Sequence, residues 1–112
     1  MKTRRTEHLA RLSAIADMLR EHRLSDLRAA GAEVAGLRAQ IARLDAAGAA
    51  LSGAESFCTA PSWLRWQTAA RADLNIRLAA ALAAQDRVRD AARMAFGRAE
   101  VLHRLRGRDQ AS

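Results

Sequence analysis

Side chains able to do chemistry are few in this chain, and they are scattered. The histidines are His8, His22 and His103, and the single cysteine is Cys58. No HExxH segment sets two imidazoles one helical turn apart, as a zinc hydrolase requires, and Cys58 has no neighbouring His to take its proton. His8 and His103 approach each other only if the chain ends meet, and a zinc site there still lacks a third ligand. Gly31, Gly36, Gly48 and Gly53 match neither GxGxxG nor GxxxxGK, so the phosphate-cradling loops are missing. Acidic residues mostly stand three or four positions from an arginine, as Asp86 does from Arg89 and Asp90 from Arg93. That spacing makes surface ion pairs on a helix. The chain reads as a non-enzyme, with no catalytic residue, metal or cofactor.

Two other groupings suit binding. Both tryptophans fall within Trp63-Leu64-Arg65-Trp66, and a spacing of three brings them towards one helix face. They either close the end of a helical pair against Leu51 and Phe57 or form a docking surface, since Trp is enriched where binding energy concentrates. The second grouping is basic. Nineteen Lys and Arg against twelve Asp and Glu give a net charge of +7. Most of the excess lies at the ends, in Lys2, Arg4, Arg5 and Arg11 and in Arg98, Arg104, Arg106 and Arg108. Such an end suits an acidic protein surface, an association that salt weakens; it equally suits a solvated helix terminus whose arginines favour the macrodipole.

The elements that must carry these groups are helices. A quarter of all positions are Ala, with one Pro, six Gly and no Tyr, a composition of helix formers with few strand or turn residues. Leu27, Ala30, Val34, Leu37, Ile41 and Leu44 recur at steps of three and four, a heptad seam that continues through Gly48 to Leu51. Upstream, Leu9, Leu12, Ala16 and Leu19 keep the rhythm, joined through Arg23 by two steps of four, a stutter. Ser52 to Pro61 concentrates turn and cap residues, with Thr59 or Ser62 as the cap of the next helix. Leu74, Leu78, Ala81, Val88, Ala92, Phe96, Ala99 and Leu102 form a second seam, with Gln85 a polar exception. Residues 1–112 are expected to form one all-α domain, two long helices in an antiparallel coiled-coil hairpin: helix 1 over 3–52, a turn over 53–61 and helix 2 over 62–107.

A pairing in which residue numbers add to 115 sets Ile41 against Leu74, Leu37 against Leu78, Val34 against Ala81 and Leu27 against Val88, and folds the chain back between Phe57 and Cys58. Gly48 with Gln67, Leu44 with Arg71 and Ala30 with Gln85 fit it less well, and the outer end favours Leu9 with Leu105. Two helices bury one stripe each, and this stripe is rich in Ala. Such a core supplies little stability, so the off-seam residues Met18, Leu24, Ile76, Met94 and Val101 are candidates to meet a partner. The amino-terminal residues are too charged for a signal peptide, and the longest apolar run, Leu78 to Ala84, is far shorter than a membrane span. A lone cysteine fits a reducing cytoplasm.

With Trp63 and Trp66 as a W-x-x-W element opening a second helix, a long heptad segment ending near Leu102 and Leu105, and charged ends, the chain resembles the FliJ family of flagellar export proteins and their YscO-like type III secretion counterparts. Ala69 and Asp73 depart from the family's apolar pattern. The resemblance implies a cytoplasmic stalk or escort protein, peripheral at the inner-membrane export apparatus, whose two-helix coiled coil enters the hexameric export ATPase. It implies that Arg4, Arg5, Arg11, Arg104 and Arg106 face the ATPase, and that Trp63, Trp66 and Ile76 face the FlhA-like export gate. Export chaperones are further expected partners. Two other readings remain: a generic coiled-coil adaptor or structural protein, and a basic arm for nucleic acid. The last is disfavoured because no aromatics interleave the arginines to stack on bases.

Overall fold

A computed structural model describes residues 2–52 and 60–111, with Lys2, Ser52 and Ala60 described for backbone only. Two helices account for all of them: α1, Lys2–Ser52, and α2, Ala60–Ala111. The fold class is all-α, an antiparallel helical hairpin. Among the described residues no backbone takes a positive φ, so the glycines within the helices adopt ordinary helical geometry. The expected fold-back at Phe57 and Cys58, and Thr59 as a cap, lie outside the described residues.

α2 starts earlier and ends later than the sequence suggests. Its first residue is Ala60, so Pro61 occupies the first turn, where its missing N–H costs nothing. Ser62 is inside the helix and is not its cap. Beyond 107 no proline follows, and Arg108 in the last turn carries the charge that a helix carboxyl end favours.

Each helix contributes to two compact units, one formed by Met1–Ala29 with Asp86–Ser112 and the other by Ala30–Gln85. In the second unit the buried residues are Val34 and Leu37, with Ile41, Leu44, Leu74 and Leu78 half-buried. The polar members of the three pairings that fit less well each meet the opposite helix, two of them through polar contacts. Gln67 Nε2 donates to the Leu44 carbonyl at 3.4 Å, Arg71 pairs with Asp45, and Gln85 lies against Gly31. In α2 the half-buried sequence Gln67, Ala70, Leu74, Leu78 and Ala81 contains two successive steps of four, the signature of a stutter.

The first unit has a different interior. Its buried residues are Ser13, Ala16, Ala92, Ala95 and Ala99, all small. Small side chains favour the short end of the about 8–10 Å range of helix separations. Close approach leaves no room for larger groups between the backbones, and it corrects the seam read from apolarity. Leu12 is exposed while Ser13 is fully buried. Ala95 is buried and Phe96 only half so. The seam of α1 here is therefore Leu9, Ser13, Ala16, Arg20, Arg23 and Leu27, with fours and threes alternating and no stutter at Arg23, while Leu19 stays half-buried beside an exposed Arg20. Arg20 belongs to it as a cation over the Phe96 ring, 5.3 Å from its centroid. In α2 the seam is Val88, Ala92, Ala95, Ala99, Leu102, Arg106 and Asp109.

Register follows from the contacts. Thr6 with Asp109, Arg20 with Phe96, Gly31 with Gln85, Asp45 with Arg71 and Gly48 with Gln67 have residue numbers adding to 115 or 116. The outer end does not slip to pair Leu9 with Leu105, because Leu105 is exposed while Arg106 is half-buried on the seam.

Candidate partner-binding surfaces

The tryptophan pair divides into two roles. In the second unit, Trp63 is half-buried and its Cη2 comes within 3.1 Å of where a Cβ on Gly48 would stand. Gly48 is thus the notch in α1 that receives the indole. One turn on, Trp66 is 59% exposed, and Leu64, on the other side of Trp63, is exposed as well. The spacing of three straddles the edge of the seam: Trp63 continues the row of Gln67 and Ala70, while Trp66 stands on the flank. Ile76 is exposed too, but it lies ten residues further along the chain, about 15 Å at a helical rise, with Ala69 and Asp73 between. It does not extend the Trp66 patch. Leu51 is exposed, and Phe57 lies outside the described residues.

The five expected arginines all belong to the first unit, and they do not form one cluster. Taking Ser13 and Ala92 as heptad position a, Arg4, Arg11 and Arg104 fall at f, pointing away from the facing helix. Arg5 falls at g and Arg106 at a, on the seam. Two are engaged: Arg5 Nε lies 3.4 Å from Asp109, and Arg104 donates to Glu100 at 2.7 Å. Arg4, Arg11 and Arg98 carry no ion pair among the described residues. Arg4, Arg5, Glu7, His8 and Arg11 line a shallow groove on the outside of α1.

His103 Nε2 approaches Asp17 Oδ1 at 3.0 Å, so its partner is a carboxylate on α1. His22 faces Asp26 at 3.6 Å. Among the described residues no group of three or more His, Cys, Asp or Glu side chains is placed to hold a metal, and no helix is long and apolar enough to cross a membrane. The expected i,i+3 pairs Asp86 with Arg89 and Asp90 with Arg93 are present at 3.6 and 3.5 Å. With side chains this exposed, each contributes little to stability.

Sequence reasoning overlooked Ile15, which is 62% exposed on α1, and the Asp17–His103 contact. Ile15 carried a signal, a branched apolar residue three positions from both Leu12 and Met18. The apolar rhythm through Leu12, which places that residue on the seam, masks it. The class of molecule is thus an antiparallel helical hairpin bearing two separate sets of exposed groups. Comparison with protein-family models, curated proteins and solved structures finds no match to this chain.

Proposed function

We propose that this chain is a non-catalytic coiled-coil stalk or escort protein of a flagellar or type III export apparatus, binding an export ATPase ring through its basic unit and an export gate protein through Trp66. The observation that carries the reading is the division of the W-x-x-W element. Trp63 is spent on packing, while Trp66 and Leu64 are left exposed beside it. Tryptophan is among the residues most enriched at binding hot spots, and an exposed indole offers a partner a large apolar anchor. The resemblance in pattern to FliJ and YscO supplies the identity of the partners, with export chaperones among them and the cytoplasmic side of the inner membrane as the location.

The mechanism needs no chemistry from the chain. An asymmetric pair of helices inside a ring of identical subunits binds some subunits better than others, and that difference couples to nucleotide state. Mixing the chain with the export ATPase of its source organism should raise ATP hydrolysis. Arg4→Glu with Arg11→Glu should reduce the effect, most at low salt and less as salt rises. Unchanged stimulation by that variant would remove the basic unit from the proposal.

A further inference from the structure

Two of the three charge pairs that cross between the helices fix which edges meet in each unit. Asp17 with His103 in the first unit and Asp45 with Arg71 in the second each join one e position to another. In an antiparallel pair with e against e, the g positions meet on the opposite edge. In the first unit that opposite edge, with the c positions next to it, carries Leu12 and Ile15 from α1, with Met18 at f on the outer flank beyond them, and Met94, Val101 and Leu105 from α2. Their exposures are 38, 62, 72, 59, 53 and 38%. Two ridges of branched and thioether side chains thus flank one groove. Leu24, expected in this stripe, falls on the e side and is half-buried.

The charges bordering the groove have one sign. Along the stretch that carries these six residues, 12–18 of α1 and 94–105 of α2, no c, f or g position is acidic; Asp26 at g and Asp90 at f lie beyond it. Arg98 sits at g between Met94 and Val101, and Arg11 and Arg104 stand on the outer flanks. Glu7, Glu21 and Glu100 fall at b and Asp17 at e, all towards the other side. Arg98 and Arg11 have no ion pair among the described residues, so this face carries unneutralised positive charge beside exposed apolar surface.

We infer that this face of the first unit is a docking groove for one amphipathic α-helix of a partner protein, apolar on one stripe and acidic along its borders. A second copy of this chain fits less well, because a two-fold pairing through this groove brings two faces of the same positive sign together. An anionic membrane fits less well too, since the groove holds no aromatic and an arginine interrupts its apolar row. The apolar residues from Met94 to Leu105 extend about 17 Å along α2, which matches an occupant of about three to four turns. This inference does not depend on the export reading.

The probe is a fluorescein-labelled synthetic helix of about three heptads, Leu at a and d and Glu at e and g, with a Lys-bordered version as control. Fluorescence anisotropy with the full chain should show saturable binding of the Glu peptide, weakened about tenfold or more by Ile15→Ser with Val101→Ser. Arg98→Glu, a change at an exposed charge, should weaken it as well and shift the preference towards the Lys peptide. Circular dichroism of both variants should match the parent. Equal binding of the Glu and Lys peptides overturns the inference, as does binding insensitive to both variants. A dimer in sedimentation that Ile15→Ser with Val101→Ser converts to monomer assigns the groove to a second copy. Binding to phosphatidylglycerol vesicles that displaces the peptide assigns it to a membrane. Either result refutes a partner helix as its occupant.

Discussion

Ser13 is the one buried side-chain polar atom among the described residues without a hydrogen-bond partner. It is fully buried among alanines, where a hydroxyl offers no packing advantage over a methyl and keeps an unmet desolvation cost. Ser13→Ala should therefore stabilise the protein by about 1 kcal/mol in urea denaturation, whereas Ser13→Leu should destabilise it by overfilling the gap between the helices. The tryptophans give a second contrast at this scale. Trp63→Ala should lose about 2 kcal/mol through the notch at Gly48 that it vacates, and Trp66→Ala should leave stability nearly unchanged, within about 0.5 kcal/mol. Equal losses at both positions would mean that the exposed indole is structural after all.

Glycines within the helices separate helix propensity from packing. Gly36 and Gly97 have nothing within 4 Å of an added Cβ, so Gly36→Ala and Gly97→Ala should each stabilise by roughly 1 kcal/mol, read as a higher denaturation midpoint. At Gly48 the same Cβ would meet the Gln67 amide and the Trp63 ring, displacing the bond from Gln67 to the Leu44 carbonyl. Gly48→Ala should therefore stabilise less than Gly36→Ala by about 1 kcal/mol or more, because the contact with the Trp63 ring offsets the gain in helix propensity. How far an element was legible in the sequence depended on the size of its interface residues. In the second unit the seam is built from Val34, Leu37, Ile41 and Leu78, and apolar spacing finds it. In the first unit the helices meet through Ser13, Ala95 and Ala99, so the larger neighbours Leu12 and Phe96 drew the seam one residue out of place. Apolar size marks the seam only when the helices stand far enough apart to hold large side chains. The Trp63–Trp66 cluster was visible for the same reason that its division was not: spacing gives a face, but only Gly48 opposite shows which indole has room to enter.

For the molecule as a whole, the interior of the first unit explains why function should lie in association. A buried Ala methyl contributes on the order of 0.8 kcal/mol, far less than a buried Leu. Ala16, Ala92, Ala95 and Ala99 make a thin core, while six larger apolar side chains stay exposed on one face. A partner that covers that face adds the burial which the hairpin leaves undone, and its binding should raise the thermal midpoint in proportion to its concentration. Positive charge around the same unit should make association fast at low salt and slower as salt rises, while Trp66 contacts should respond little.

The most direct test of the functional account is the rate of ATP hydrolysis by the export ATPase of the source organism, measured with and without this chain at matched salt. The account predicts a stimulated rate, diminished by Arg4→Glu with Arg11→Glu and preserved in Trp66→Ala. A rate unaffected by the intact chain, with no complex formed between the two proteins, would contradict it.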